Sequence, residues 1–229
     1  MTGKPKHGVR SGLDVLLKDR LDLLRGRRVG LLAHPAAVSS DLSHAADALV
    51  ASGVNLCCLF GPEHGVRGAA QDMTGVDTTH DPRLRIPAYS LYGTRLESLK
   101  PAPEWLTELD VLVIDLQDIG SRYYTYVWTM ILAIQACAEA GLDVVVLDRP
   151  NPLGGQMIEG RGIERGFESF VGLYPILVRH GMTPGEIARL VTQEQSLEVA
   201  LDVAGKGVNR DLVDTWPAPF GGHLMPGRP

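Results

Sequence analysis

The stretch Val54-Asn55-Leu56-Cys57-Cys58-Leu59-Phe60-Gly61-Pro62-Glu63-His64-Gly65-Val66-Arg67-Gly68 decides the fold. Its first half is a short apolar run, the pattern of a buried strand, and the glycines and proline that follow force the chain to turn. The turn carries a carboxylate, an imidazole and a guanidinium within five residues. In an open α/β sheet, ligands bind beyond the carboxyl ends of the strands, where this turn falls.

The same arrangement recurs along the chain. Residues 29–33 are apolar and exit at His34-Pro35. Residues 110–115 run into Leu116-Gln117-Asp118-Ile119-Gly120, and residues 143–147 end in Asp148-Arg149-Pro150-Asn151. Residues 86–92 and 197–203 read as further extended segments, and residues 69–85 as a long loop. Helical signals alternate with the strands. Residues 41–52 place Leu42, Ala45, Ala46, Leu49 and Val50 on one face, with Gly53 at the end. Residues 124–140 are alanine-rich and free of breakers up to Gly141, and Thr183-Pro184-Gly185-Glu186 is a capping box that opens another helix. Strands alternating with helices predict an α/β fold: a Rossmann-like, doubly wound, mostly parallel sheet with helices on both faces. We assign residues 1–205 to this domain and residues 206–229 to an irregular tail.

Composition narrows the function. A hydrophobic fraction of 45% with 21% charged residues is that of a globular domain with an adequate core, and a net charge of −5 argues against a nucleic-acid partner. Cys57, Cys58 and Cys137 sit in apolar settings and form no CxxC pair, which favours reduced, buried thiols. No apolar run is long enough to span a bilayer and residues 1–10 lack a signal-peptide core, so the expected location is the cytoplasm, without a membrane partner.

All the exits fall on one rim if the strands are parallel, and ionisable groups concentrated there describe a polar cleft for a hydroxyl-rich or acidic ligand. Glu63 has the sharpest role, because a carboxyl on a glycine-flanked turn is held by backbone and suits a general acid. The plain alternative is an N-cap, or a turn carboxylate paired with Arg67. His64 would orient that carboxylate or act beside it. Asp115 and Asp118 are the candidates for a second carboxylate, with Gln117 and Asn151 as hydrogen-bonding groups. A solvated strand end is the alternative for that cluster. Arg149 is a planar fork suited to a carboxylate, or else the partner of Asp148 or Asp118. Tyr124 lies among three tyrosines at a helix start, a setting for sugar stacking or for the edge of a core. Glu159 is a third candidate for the second carboxylate, and His180, just before the capping box, completes the set. No HxxH, HExxH or CxxC spacing supports a metal, and Gly154-Gly155 lacks the spacing of a phosphate loop, so neither metal nor cofactor is expected.

At these residues the chain resembles the bacterial exo-β-N-acetylmuramidases of peptidoglycan recycling. The matching strings are residues 61–68, 89–93, 115–126, 147–155, 169–172 and 179–183, in family order. The resemblance implies a Rossmann-like domain followed by a smaller α/β domain, most of which would lie beyond residue 229, with the active site in the cleft between them. It implies release of terminal N-acetylmuramic acid from the non-reducing end of cell-wall fragments, with Glu63 as the leading catalytic residue. Arg149 or Arg67 would then take the lactyl carboxylate of the sugar. A non-catalytic muropeptide-binding module and a nucleotide-dependent Rossmann enzyme are the rival readings.

Overall fold

The computed structural model describes residues 9–63, 65–67, 79–93 and 96–205. In chain order its elements are α1 (Gly12–Asp19), β1 (Val29–Ala33), α2 (Ala45–Ala51), β2 (Leu56–Gly61), β3 (Thr79–His80), β4 (Pro87–Ser90), α3 (Pro103–Leu106), β5 (Val111–Asp115), α4 (Tyr126–Ala140), β6 (Asp143–Leu147), α5 (Pro184–Glu194) and β7 (Leu201–Ala204). The strands form one sheet in the order β3-β4-β2-β1-β5-β6-β7. Every pairing is parallel except that of the edge strand β3 with β4. The predicted doubly wound α/β architecture is what the chain adopts.

Alternation along the strands divides the core between the two sheet faces. Val29, Leu31 and Ala33 of β1, with Val111 and Val113 of β5, meet Leu13 and Leu16 of α1 and Ala45, Ala46 and Leu49 of α2. Leu32, Leu112 and Ile114 face the other way, against Trp128, Ile131 and Ile134 of α4 and Ile187 and Val191 of α5. With both faces covered the strands carry almost no polar residues, which is why apolar runs alone revealed them.

Element ends follow local chemistry. Gly141 adopts the left-handed conformation that closes α4. At α5 both arms of the capping box form, and Pro184 occupies the first turn. The helix expected from residue 41 starts later, because the His44 imidazole accepts the Ala46 N–H and serves as the cap. Leu42, expected on the helix face, instead sits in the preceding turn at φ 66° and is 81% exposed. Helix α4 likewise begins at Tyr126, so Tyr124 belongs to the loop before it. β3 lies within the segment expected to be loop, and α1 was not foreseen. The expected tail, 206–229, lies outside the described residues. Among the described residues no helix is long and apolar enough to cross a membrane.

Candidate active site

β1 and β5 are neighbours whose onward connections run to opposite sides of the sheet, β2 on one and β6 on the other. Such a switch point opens a crevice beyond the strand ends. His34 leaves β1 there, and its Nε2 accepts the Gln117 main-chain N–H at 3.0 Å, joining the β1 and β5 exits. Burial pushes the His34 imidazole down to about 4, aided by the Arg149 charge, so the ring is a neutral acceptor near pH 7.

Asp115 ends β5 on the face of α1 and α2. Arg149 donates to both of its oxygens, Nε to Oδ1 at 2.6 Å and Nη2 to Oδ2 at 2.9 Å, and Nη2 also reaches the Val38 carbonyl. Asp115 is fully buried; burial pushes its carboxyl up and the guanidinium works against that. The two residues hold each other in a buried, two-pronged pair. Asp118 and His180 lie together on the opposite face, His180 Nε2 3.2 Å from Asp118 Oδ2 with both side chains buried, and neither His180 Nε2 nor Asp118 Oδ1 has a hydrogen-bond partner among the described residues. Asp118 Oδ2 also accepts the Gly120 N–H, and His180 Nδ1 accepts that of Met182.

Other candidates are tied into the same scaffold. Asn151 donates to the Met182 carbonyl and accepts the Leu153 N–H. Gln117 donates through Nε2 to the carbonyls of Asp118 and Pro150. Glu159 pairs with Arg179 at the surface. Arg67 forks onto Asp47 and also grips Asp81, which fastens the β2 exit to α2 and to the β3–β4 turn. The alternative of a Glu63–Arg67 pair is therefore not realised. His64 lies outside the described residues.

Glu63 remains. Gly61, at the end of β2, has no room for a side chain: a Cβ there would lie 2.8 Å from Gly65 Cα, so the chain doubles back tightly and lifts Glu63 onto the rim. Tyr126, at the start of α4, donates its hydroxyl to the Glu63 carbonyl at 3.1 Å. The Tyr126 ring meets His34 edge-on at 4.9 Å between centroids and lies 4.6 Å from Tyr124. The Glu63 carboxylate holds the Tyr92 phenol above its ordinary value. A continuous run of contacts thus links the β2 exit, the α4 start and the β1 exit. Of the described carboxylates predicted for the site, Glu63 is the one with no arginine or histidine partner among the described residues.

This combination of a half-buried glutamate on the rim and the tyrosines around it lies within a longer match. Residues 29–216 match the family described as exo-β-N-acetylmuramidase NamZ, N-terminal. The chain belongs to that family. Over 201 residues it is 47% identical to the peptidoglycan β-N-acetylmuramidase NamZ of Bacillus subtilis (strain 168), covering 87% of this chain and 47% of that protein. Its fold matches the crystal structure of a DUF1343 family protein from Bacteroides fragilis NCTC 9343 with a TM-score of 0.80 at 41% identity, covering 92% of this chain and 54% of the other. A second DUF1343 protein of that strain gives 0.74 at 31% identity, covering 87% and 52%. The chain spans about half the length of these relatives.

Within this NamZ-type domain, three important residues were not foreseen. Tyr92 lies in the string 89–93, and the Glu63 charge holds its phenol above the ordinary value. Asp148 accepts the Thr183 hydroxyl and the Gly185 N–H, seating α5 on the end of β6, and burial pushes its carboxyl up to about 6. Arg122, 7% exposed, donates to the carbonyls of Arg161 and Ile176, while its main chain bonds Val178 and the Trp128 indole. No sequence signal distinguishes an arginine whose partners are carbonyls.

Proposed function

We propose that this chain supplies the N-terminal half of a glycoside hydrolase that releases terminal N-acetylmuramic acid from the non-reducing end of peptidoglycan fragments, with Glu63 as the acid/base group. The observation that carries this reading is the position of Glu63: rim-mounted, half-buried and, among the described residues, without an arginine or histidine partner. A carboxyl in that state can give a proton to a glycosidic oxygen and take one from water. Asp115 and Glu159 are each paired with an arginine and Asp118 lies against His180, so none is assigned the second role. We assign that role to the substrate's own acetamido group, the substrate-assisted variant of glycoside hydrolysis. Arg149 and Arg67 are both held by internal carboxylates, so neither is assigned to the lactyl group. The substrate is an oligosaccharide fragment, with no nucleic acid or membrane as partner.

The test is turnover of a chromogenic β-N-acetylmuramide by the wild-type chain and by Glu63→Gln. Loss of at least a hundredfold in the variant is expected for a general acid/base; equal rates would remove Glu63 from the mechanism. A second reading, a muropeptide-binding module without turnover, draws on the half-length match to the relatives. Saturable binding of N-acetylmuramic acid by a chain that hydrolyses nothing selects it.

A further inference from the structure

Arg122 is a buried cation without a counter-ion. It is 7% exposed, and no carboxylate of the described residues lies within ion-pair distance of it. Nη1 donates to the carbonyls of Arg161 and Ile176, at 2.6 and 2.9 Å. Carbonyl dipoles ease the charge without cancelling it, and an enclosed ion ordinarily has a charged partner. The other edge of the fork is empty. Among the described residues neither Nε nor Nη2 has a hydrogen-bond partner; Nε is enclosed, while Nη2 is open to solvent. Arg149 and Arg67 show what that edge can do, since each places Nε and Nη2 on the two oxygens of one carboxylate.

The surroundings keep the edge clear. Gly172 lies beside Nε, where a Cβ would stand 3.4 Å from that nitrogen and 2.0 Å from Ile163 Cδ1, so no side chain can take the place. The Tyr123 ring covers one face of the guanidinium, 5.3 Å from Cζ, which leaves approach in its plane. The group belongs to the rim. Arg122 stands between the β5 exit and α4, its carbonyl accepts the Trp128 indole N–H, and Tyr126, a few residues on, holds the Glu63 carbonyl.

We infer that the Nε–Nη2 edge of Arg122 is a binding site for a carboxylate. On the proposed function, that carboxylate is the lactyl group of N-acetylmuramic acid, for which Arg149 and Arg67 are not free. A two-pronged bond there supplies the missing counter-charge, and it separates this sugar from N-acetylglucosamine, which has no carboxyl. Nη2 is the point of entry. Nε is reached by an outward shift of the turn closed between Ser169 and Gly172.

The experiment follows the Arg122 Nε–H by NMR in the chain labelled with nitrogen-15 at arginine Nε, assigned through its backbone. Lactate and N-acetylmuramic acid are each expected to move this resonance saturably. N-acetylglucosamine and the methyl ester of N-acetylmuramic acid should bind at least about tenfold more weakly than the free acid. A resonance unmoved by both acids overturns the site. Movement by lactate alone, or equal binding of the acid and its ester, overturns the assignment to the sugar. In the muramide assay, Arg122→Lys keeps the charge but not the fork and is expected to raise KM roughly tenfold. An unchanged KM in a variant with the wild-type urea midpoint overturns the site as well. If that variant does not fold, the comparison of ligands on the wild type decides. The proposed function fails separately, when the acids move the resonance but no muramide is hydrolysed.

Discussion

Arg149 and Asp115 form a two-pronged ion pair beneath the switch point, with both oxygens of the fully enclosed carboxylate taken by one guanidinium. The pair closes the floor of the crevice by joining the β5 and β6 exits, and through the Val38 carbonyl it also holds the loop that follows β1. A fork of this geometry in a dry setting is a structural fastening whose halves depend on each other.

Removing one half should therefore be felt in stability. Arg149→Met leaves a buried carboxylate without its counter-charge and should destabilise the chain by about 3–5 kcal/mol. Arg149→Met combined with Asp115→Leu should recover most of that loss. Urea midpoints at unchanged slope measure both. Full stability with weakened muramic acid binding would instead return Arg149 to the ligand.

His34 makes stability depend on acid. Its folded value of about 4 lies below the ordinary 6.5, so protons favour the unfolded chain, and stability is lost as pH falls from 6.5 through 4. Between pH 7 and pH 5 this amounts to about 2 kcal/mol. Asp148 acts in the opposite sense. With its carboxyl raised to about 6 from 3.8, its contribution is present at low pH and is lost as pH rises through about 6. His34→Gln retains Asp148, so subtracting the two stability–pH curves isolates the histidine. The wild type should lose about 2 kcal/mol more than the variant over that interval. Parallel curves would mean that the imidazole titrates as in water.

Gly12 starts α1 against the ends of β6 and β7. A Cβ there would lie 2.2 Å from the Asp148 main-chain N and 2.4 Å from the Ala204 carbonyl oxygen. Both are backbone atoms of the sheet and cannot swing aside. Gly12→Ala should destabilise by about 3 kcal/mol or more, at the upper end of overpacking. A thermal midpoint within about 1 °C of the wild type would show that α1 can lift away.

Asp118 offers a contrast between scaffold and chemistry. Asp118→Ala leaves the buried Gly120 N–H without its acceptor and His180 without its neighbour, which should lower stability by about 2–3 kcal/mol. A variant of normal stability that no longer hydrolyses the muramide would place Asp118 in the reaction after all.

The strands and their shared rim were legible because a sheet covered on both faces writes itself as apolar runs, and each run ended in ionisable residues. Glu63 was legible for the same reason: glycine and proline fixed the turn that carries it. The partners of the other polar residues were not legible. Asp115 and Arg149 lie in different strand exits, and Arg67 divides its fork between Asp47 on α2 and Asp81 beyond β3, so only the assembled fold brings them together. An arginine beside a carboxylate in sequence, as at Asp148-Arg149, was a misleading neighbour. The short α1 escaped notice because eight residues hold too few turns to show a period. Leu42 misled because an imidazole, not one of the usual small polar caps, set the start of α2.

Arg122 bears on how this domain comes apart. Residues 149–181 carry no helix or strand, and one buried guanidinium with its own main chain ties residues 161, 176 and 178 to Trp128 of α4. Stretches of backbone gripped by one buried charge loosen together, since releasing any of them exposes that charge. Amide protons across this region should therefore exchange with solvent as one cooperative unit, at a rate set by the opening of Arg122 and independent of the sheet beneath.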